Sequence, residues 1–198
     1  MKKINVITKE SPNFIGCWDL ENDKLCNEII DFFESNQSLQ TKGLISGGQN
    51  QEIKKTTDIS LNPSDLENPK LSFLKGYFDL LNKCFLEYKE HYPFLKEIIK
   101  KIHIGHFNIQ KYNPGDHFSG AHSERTNLAT LHRVFAWMTY LNDVEDGGTT
   151  NFNYYKVKIK PKKGKTLIWP SEWTHVHTGD VLNNGTKYII TGWMHFPS

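Results

Sequence analysis

The chain has 198 residues, 37% of them hydrophobic and 13% aromatic, which is enough to bury a core and excludes a disordered protein. Its formal net charge of +2 gives no electrostatic case for a nucleic-acid or membrane partner. Three unpatterned cysteines, Cys17, Cys26 and Cys84, exclude a disulfide framework and a cysteine zinc site, and fit a reduced, cytoplasmic protein.

No long apolar run follows Met1-Lys2-Lys3-Ile4-Asn5, so neither a signal peptide nor a membrane span is expected. Asn13–Trp18 reads as a strand. Asn22 or Asp23 can cap a helix running to about Ser35, with Leu25, Ile29, Phe32 and Phe33 at helical spacing. Residues 36–63 are polar and aperiodic. The loop around Ile45-Ser46-Gly47-Gly48-Gln49-Asn50 reads first as a surface connection and second as a substrate lid. Asn68-Pro69 is a cap followed by a first-turn proline, and Leu71, Leu74, Phe78, Leu81 and Phe85 extend that helix to about Tyr88. A short helical piece over Pro93–Lys101 follows.

After Lys101 the pattern changes to short strands separated by turns. His103–Tyr112, Val134–Leu141, Tyr155–Ile159, Thr166–Trp169, His175–Val181 and Lys187–Trp193 are strand candidates. Asn113–Asp116, Asp143–Gly148 and Pro161–Gly164 are turns. No repeat and no Pro-, Gly- or Ser-rich linker divides the chain. The expectation is one α+β domain over residues 1–198, with a helical support layer over 1–102 and a β-sandwich or barrel over 103–196.

The chemistry concentrates in the second half. In an extended segment, residues i and i+2 share a face, so His122 and Glu124 can present a nitrogen and a carboxylate oxygen side by side. A further histidine from a later strand, His175 or His177, would complete two histidines and one carboxylate. That set, with open positions left over, suits non-haem Fe(II). A hydrolytic zinc site can be built from the same three donors. Lys187 opens an apolar strand, and a buried cation there needs an anionic partner. The other histidines (His91, His103, His106, His117, His132, His195) read as surface or core residues. Trp137 and Trp169 read as core, and the lysine run from Lys158 to Lys165 as a solvated turn.

The order Tyr112-Asn113-Pro114-Gly115, His122-Ser123-Glu124, Arg133, Tyr140-Leu141-Asn142, Gly147-Gly148-Thr149-Thr150-Asn151-Phe152, Pro161-Lys162-Lys163-Gly164, His177 and Lys187-Tyr188 resembles the prolyl 4-hydroxylase-like branch of the 2-oxoglutarate and Fe(II)-dependent oxygenases. The segment from Trp169 to Trp193 is especially similar to oxygenases of marine phages and bacteria, which for a viral chain would mean the host cytoplasm. The resemblance covers residues 103–196 and implies a double-stranded β-helix (a jelly-roll or cupin-like barrel) with supporting N-terminal helices. It implies His122, Glu124 and His177 as iron ligands; Lys187 lies ten positions after His177 but twelve after His175, and ten is the family spacing. It also implies Lys187, Tyr140 and Tyr112 around 2-oxoglutarate, with Arg133 and Trp193 on the substrate side. The implied reaction hydroxylates a C–H bond, using 2-oxoglutarate and O2 and releasing succinate and CO2, with ascorbate as a supporting reductant. The substrate is first a prolyl residue of a peptide or protein; another side chain, a free amino acid or a nucleobase is the alternative, as is a non-catalytic metal-binding barrel. Two positions depart from the family: Glu124 stands where aspartate is usual, and Ala136 where many relatives carry threonine.

Overall fold

The computed structural model describes residues 1–6, 12–45 and 47–197. Ser46, in the loop read as a candidate lid, lies outside them. The first half contributes β1 (Lys2–Lys3), β2 (Gly16–Asp19), α1 (Asp23–Ser35), β3 (Thr41–Lys42), β4 (Lys54–Lys55), β5 (Thr57–Leu61), α2 (Phe73–His91) and α3 (Phe94–Ile98). The second contributes β6 (His103–Tyr112), β7 (His117–His122), β8 (Arg133–Tyr140), β9 (Thr150–Phe152), β10 (Val157–Ile159), β11 (Lys165–Pro170), β12 (His177–Gly179) and β13 (Lys187–His195).

These strands form two sheets. One has eight strands in the order β1-β2-β11-β8-β13-β6-β5-β3, and the other five in the order β10-β9-β12-β7-β4. Among the described residues, these strands pair antiparallel throughout. The two sheets face each other as the expected double-stranded β-helix.

Alternation along β8 explains the layering, because successive side chains leave a strand on opposite faces. Phe135 and Trp137 point to the outer cluster with Ile29 and Phe33 of α1 and Leu74, Tyr77, Leu81, Phe85 and Tyr88 of α2. Ala136, Met138 and Tyr140 point into the space between the sheets, with Tyr112, Phe152, Leu167, Trp169 and Ile189. Each large apolar side chain buried this way contributes roughly 1.5–3 kcal/mol. Thr139 is fully buried on the helix side, where its hydroxyl bonds Tyr77 Oη at 2.8 Å and Thr166 Oγ1 at 2.7 Å.

The helices begin close to where capping chemistry predicts. The Asn22 side chain accepts from Leu25 N at 3.1 Å. Asn68 accepts from Lys70 N at 3.0 Å, but Pro69–Leu71 is a 3-10 turn and α2 starts only at Phe73. The helical piece expected over Pro93–Lys101 shortens to Phe94–Ile98.

The helical support layer expected over residues 1–102 needs correction. Five strands from this half extend the two sheets, and three of them (β3, β4, β5) lie within the segment read as irregular. Their signal is faint because β3 and β4 have two residues each and alternation needs at least four. β5 carries a buried polar knot. Lys54 and Asp58 are 5% and 4% exposed and pair at 2.7 Å. Thr56 Oγ1 and Gln110 Nε2 also donate to Asp58, at 2.7 and 3.1 Å, and Tyr112 Oη donates to Gln110 Oε1 at 2.9 Å. Asp58→Ala leaves Lys54 buried without its partner, so a loss of about 3–5 kcal/mol is expected, read as a lowered urea midpoint.

No described helix is long and apolar enough to cross a membrane.

Candidate metal centre

His122 and His177 sit opposite each other on adjacent strands, in register across β7 and β12. Their ring centroids are 4.3 Å apart. Each ring is oriented from behind by its own backbone: His122 Nδ1 donates to the Gly120 carbonyl at 2.8 Å, and His177 Nδ1 to the His175 carbonyl at 2.9 Å. Carbonyl oxygens only accept, so each Nδ1 holds the proton and each Nε2 lone pair is free. Both Nε2 atoms point at one oxygen, Glu124 Oε1, from 3.8 Å for His122 and 3.4 Å for His177. The three donors lie within 4.8 Å of one another.

Phe118 stacks on His122 at 3.8 Å with planes 9° apart. Phe152 and Trp169 hold His177 from the interior at 5.6 and 5.2 Å. Burial, and then the neighbouring His177, push the His122 imidazole down to about 4, so it stays neutral and able to ligate near pH 7. Burial raises the Glu124 carboxyl, but His177, His122 and Trp193 outweigh it and bring it to about 2. Two imidazole Nε2 atoms and one carboxylate oxygen converging within 4.8 Å are a donor set that fits a divalent metal.

Glu124 lies just beyond the end of β7, and its position is set by its neighbours. The backbone N–H groups of Glu124 and Arg125 donate to the Ser171 carbonyl at 3.2 and 3.0 Å. Arg133 Nη1 donates to the Glu124 carbonyl at 3.1 Å. Trp193 Nε1 donates to Glu124 Oε2 at 2.6 Å, and the Arg133 guanidinium stacks on the Trp193 ring at 3.7 Å. Arg133 and Trp193, expected on the substrate side, thus both bear directly on Glu124. Ser171 and Phe118 were not legible as site residues, since a backbone carbonyl and a single phenylalanine carry no motif.

His175 is placed elsewhere. A regular strand over His175–Val181 was expected, but Trp173–His175 forms a 3-10 turn and β12 begins only at His177. His175 is buried with Nε2 on the Asn13 carbonyl at 3.0 Å. Its contribution to the centre is its own carbonyl, which fixes the His177 tautomer.

Lys187 is 3% exposed. Its Nζ donates to the Gly148 carbonyl at 3.0 Å and lies 3.8 Å over the Tyr112 ring. Gly148 permits this approach: it adopts φ +64°, and a Cβ there would sit 3.1 Å from Lys187 Cδ. Among the described residues no carboxylate pairs with Lys187. Burial pushes its ammonium down to about 7, opposed by the more distant Asp180. Tyr140 is fully buried in the same inter-sheet cluster as Tyr112, and its hydroxyl donates to Thr150 Oγ1 at 2.6 Å.

Residues 107–195, the strands that carry these groups, match the family profile of the 2OG-Fe(II) oxygenase superfamily. The chain is 24% identical to human procollagen-lysine,2-oxoglutarate 5-dioxygenase 2 over 213 residues, covering 96% of this chain and 24% of that protein. It spans about a quarter to a third of the length of the first curated relatives it matches. Its fold is similar to the viral collagen prolyl hydroxylase of Paramecium Bursaria Chlorella virus-1, solved with 2-oxoglutarate (TM-score 0.67, 19% identity, 94% of this chain and 98% of that one). It is also similar to a prolyl hydroxylase from Trichoplax adhaerens, solved with a hypoxia inducible factor peptide fragment (TM-score 0.71, 14% identity, 93% and 84% covered). The family implies Fe(II), 2-oxoglutarate and O2, and the two histidines and one carboxylate gathered here suit that metal. Over residues 107–195, the strands that carry the two histidines, the carboxylate and the buried lysine, the chain is thus similar to the 2OG-Fe(II) oxygenase superfamily.

Proposed function

We propose that this chain is an Fe(II)- and 2-oxoglutarate-dependent dioxygenase that hydroxylates a prolyl residue in a peptide or protein. The observation that carries this reading is the aim of the His122 and His177 Nε2 lone pairs at Glu124 Oε1, in a fold that also buries Lys187 with no carboxylate partner among the described residues. His122, Glu124 and His177 are the residues that would hold the metal. When bound, Fe(II) with 2-oxoglutarate and O2 supplies the oxidation. One oxygen atom enters the C–H bond and the other enters succinate, with CO2 as the leaving group.

The protein's part is placement. The two carbonyl-anchored imidazoles and the ionised Glu124 offer three fixed donors. Lys187 supplies the cation for the far carboxylate of 2-oxoglutarate, and the Tyr112 ring forms the floor beneath it. Tyr140 would join them by turning its hydroxyl from Thr150. Phe152 and Trp169 keep water from the inner side of the pocket. Arg133 and Trp193 stand between Glu124 and the substrate. A peptide substrate is supported by the peptide seen with the Trichoplax relative, and a lysyl residue is the second reading, from the procollagen-lysine relative. The three free, buried cysteines support a reducing, cytoplasmic setting.

The test is succinate formation from 2-oxoglutarate with Fe(II), ascorbate and proline-rich peptides. Expected is metal-dependent succinate and the mass gain of one oxygen on a prolyl residue. Absence of 2-oxoglutarate turnover, even uncoupled, with prolyl peptides, lysyl peptides and free amino acids would establish the non-catalytic barrel instead.

A further inference from the structure

Glu124 is one methylene longer than the aspartate of the family pattern, and the structure shows what takes up the extra length. Oε1 faces the two histidines, while Oε2 is turned away and accepts from the Trp193 indole at 2.6 Å. The indole is itself held. Arg133 stacks on it at 3.7 Å, and His106 packs against it at 5.0 Å. The Glu124 backbone is tied on both sides, through its N–H to Ser171 and through its carbonyl to Arg133. A glutamate has one more rotatable bond than an aspartate, so an untethered Glu124 would swing or present both oxygens together. A single charge-assisted hydrogen bond to Oε2 removes that freedom.

We propose that Trp193 is a positioning residue, whose indole N–H holds Glu124 Oε2 so that Oε1 alone is offered to the metal. Glu124 and Trp193 are then a matched pair. An aspartate, shorter by about one bond of 1.5 Å, does not reach the indole and the histidine face together. The proposal rests on the metal-site reading above and assigns to Trp193 a role beyond facing the substrate.

The experiment is a double-mutant cycle read by Co(II) titration of the full chain, by calorimetry and by the visible Co(II) band, with no turnover involved. Trp193→Phe keeps the ring and deletes the donor. It is expected to weaken Co(II) binding about 10-fold or more, within the range for lost orienting bonds behind metal ligands, and to change the band shape. In a Glu124→Asp background the same change is expected to alter affinity by less than about threefold, since the pair is already broken. Equal affinity for wild type and Trp193→Phe overturns the proposal. So does an equal loss in both backgrounds, which would make the ring merely structural. Glu124→Asp alone supplies a reading that leaves Trp193 intact. Its indole N–H proton should move upfield and exchange faster with solvent once Oε2 is gone, and an unchanged resonance overturns the pairing. If the wild-type chain binds no Co(II), or His122→Ala binds it equally well, the metal-site reading falls and this proposal with it.

Discussion

His177→Ala is expected to lose Co(II) or Fe(II) binding by more than about 100-fold, beyond the range for orienting groups behind a ligand, and to form no succinate. His122→Ala should do the same. The reason is geometric. Both Nε2 lone pairs converge on one oxygen, and removing either imidazole leaves only two of the three donors, which is not enough to hold an ion against water. His175→Ala is the informative contrast. His175 is an equally plausible ligand by type and near in sequence, yet its ring faces the Asn13 carbonyl. It influences His177 only through a backbone carbonyl, which alanine retains. Metal affinity should therefore stay within about threefold of wild type, while the lost packing shows in the melting temperature. Calorimetric titration of the three variants under anaerobic conditions checks this. Full metal binding in His177→Ala would remove the basis of the proposed centre.

Lys187→Met is expected to raise the 2-oxoglutarate requirement by about 100-fold or more, because a desolvated charge pair in an interface is worth roughly 2–5 kcal/mol. Without ligand, the same substitution should stabilise the fold below neutral pH. Lys187 titrates near 7 in the folded chain, against about 10.4 in an unfolded one. Below pH 7 it is charged in both states, and the folded state carries the full cost of an unpaired buried ammonium. Between pH 7 and about 10 the unfolded chain binds the extra proton, so wild-type stability rises with pH across that window. The methionine variant should exceed wild type by a few kcal/mol at pH 6, and the gap should close toward pH 10. Urea melts at several pH values measure this. Binding of 2-oxoglutarate favours the charged lysine, so above pH 7 it should take up a proton and weaken as pH rises. Calorimetry in two buffers of different ionisation heat reads that proton directly. A pH-independent affinity with no proton uptake would separate Lys187 from the co-substrate.

The parts of this chain that were legible without coordinates share one property: a local rule connects residue to structure. Asn22 caps α1 and the apolar spacing of Leu25, Ile29 and Phe33 fixes its buried face. The alternation of β8 sorts Phe135 and Trp137 from Ala136 and Met138. The motif order from His122 to Lys187 names the three candidate donors that the fold gathers within 4.8 Å and the lysine that it buries, since it records spacing along strands of one barrel. Strands β3, β4 and β5 were not legible, because β3 and β4 are two-residue edge strands and β5 is fixed mainly by its pairing with β6, about fifty positions away in sequence.

The site divides the same way. The residue order by itself determined the donor types, two imidazoles and a carboxylate, and the buried cation beyond them. Only the tertiary structure decided their arrangement. A 3-10 turn takes His175 out of the strand and leaves His177 facing His122. The indole of Trp193, 69 positions from Glu124, takes the second carboxylate oxygen. The physical reason is that donor chemistry belongs to a side chain, whereas its orientation depends on hydrogen bonds and packing from strands that meet only when the two sheets close.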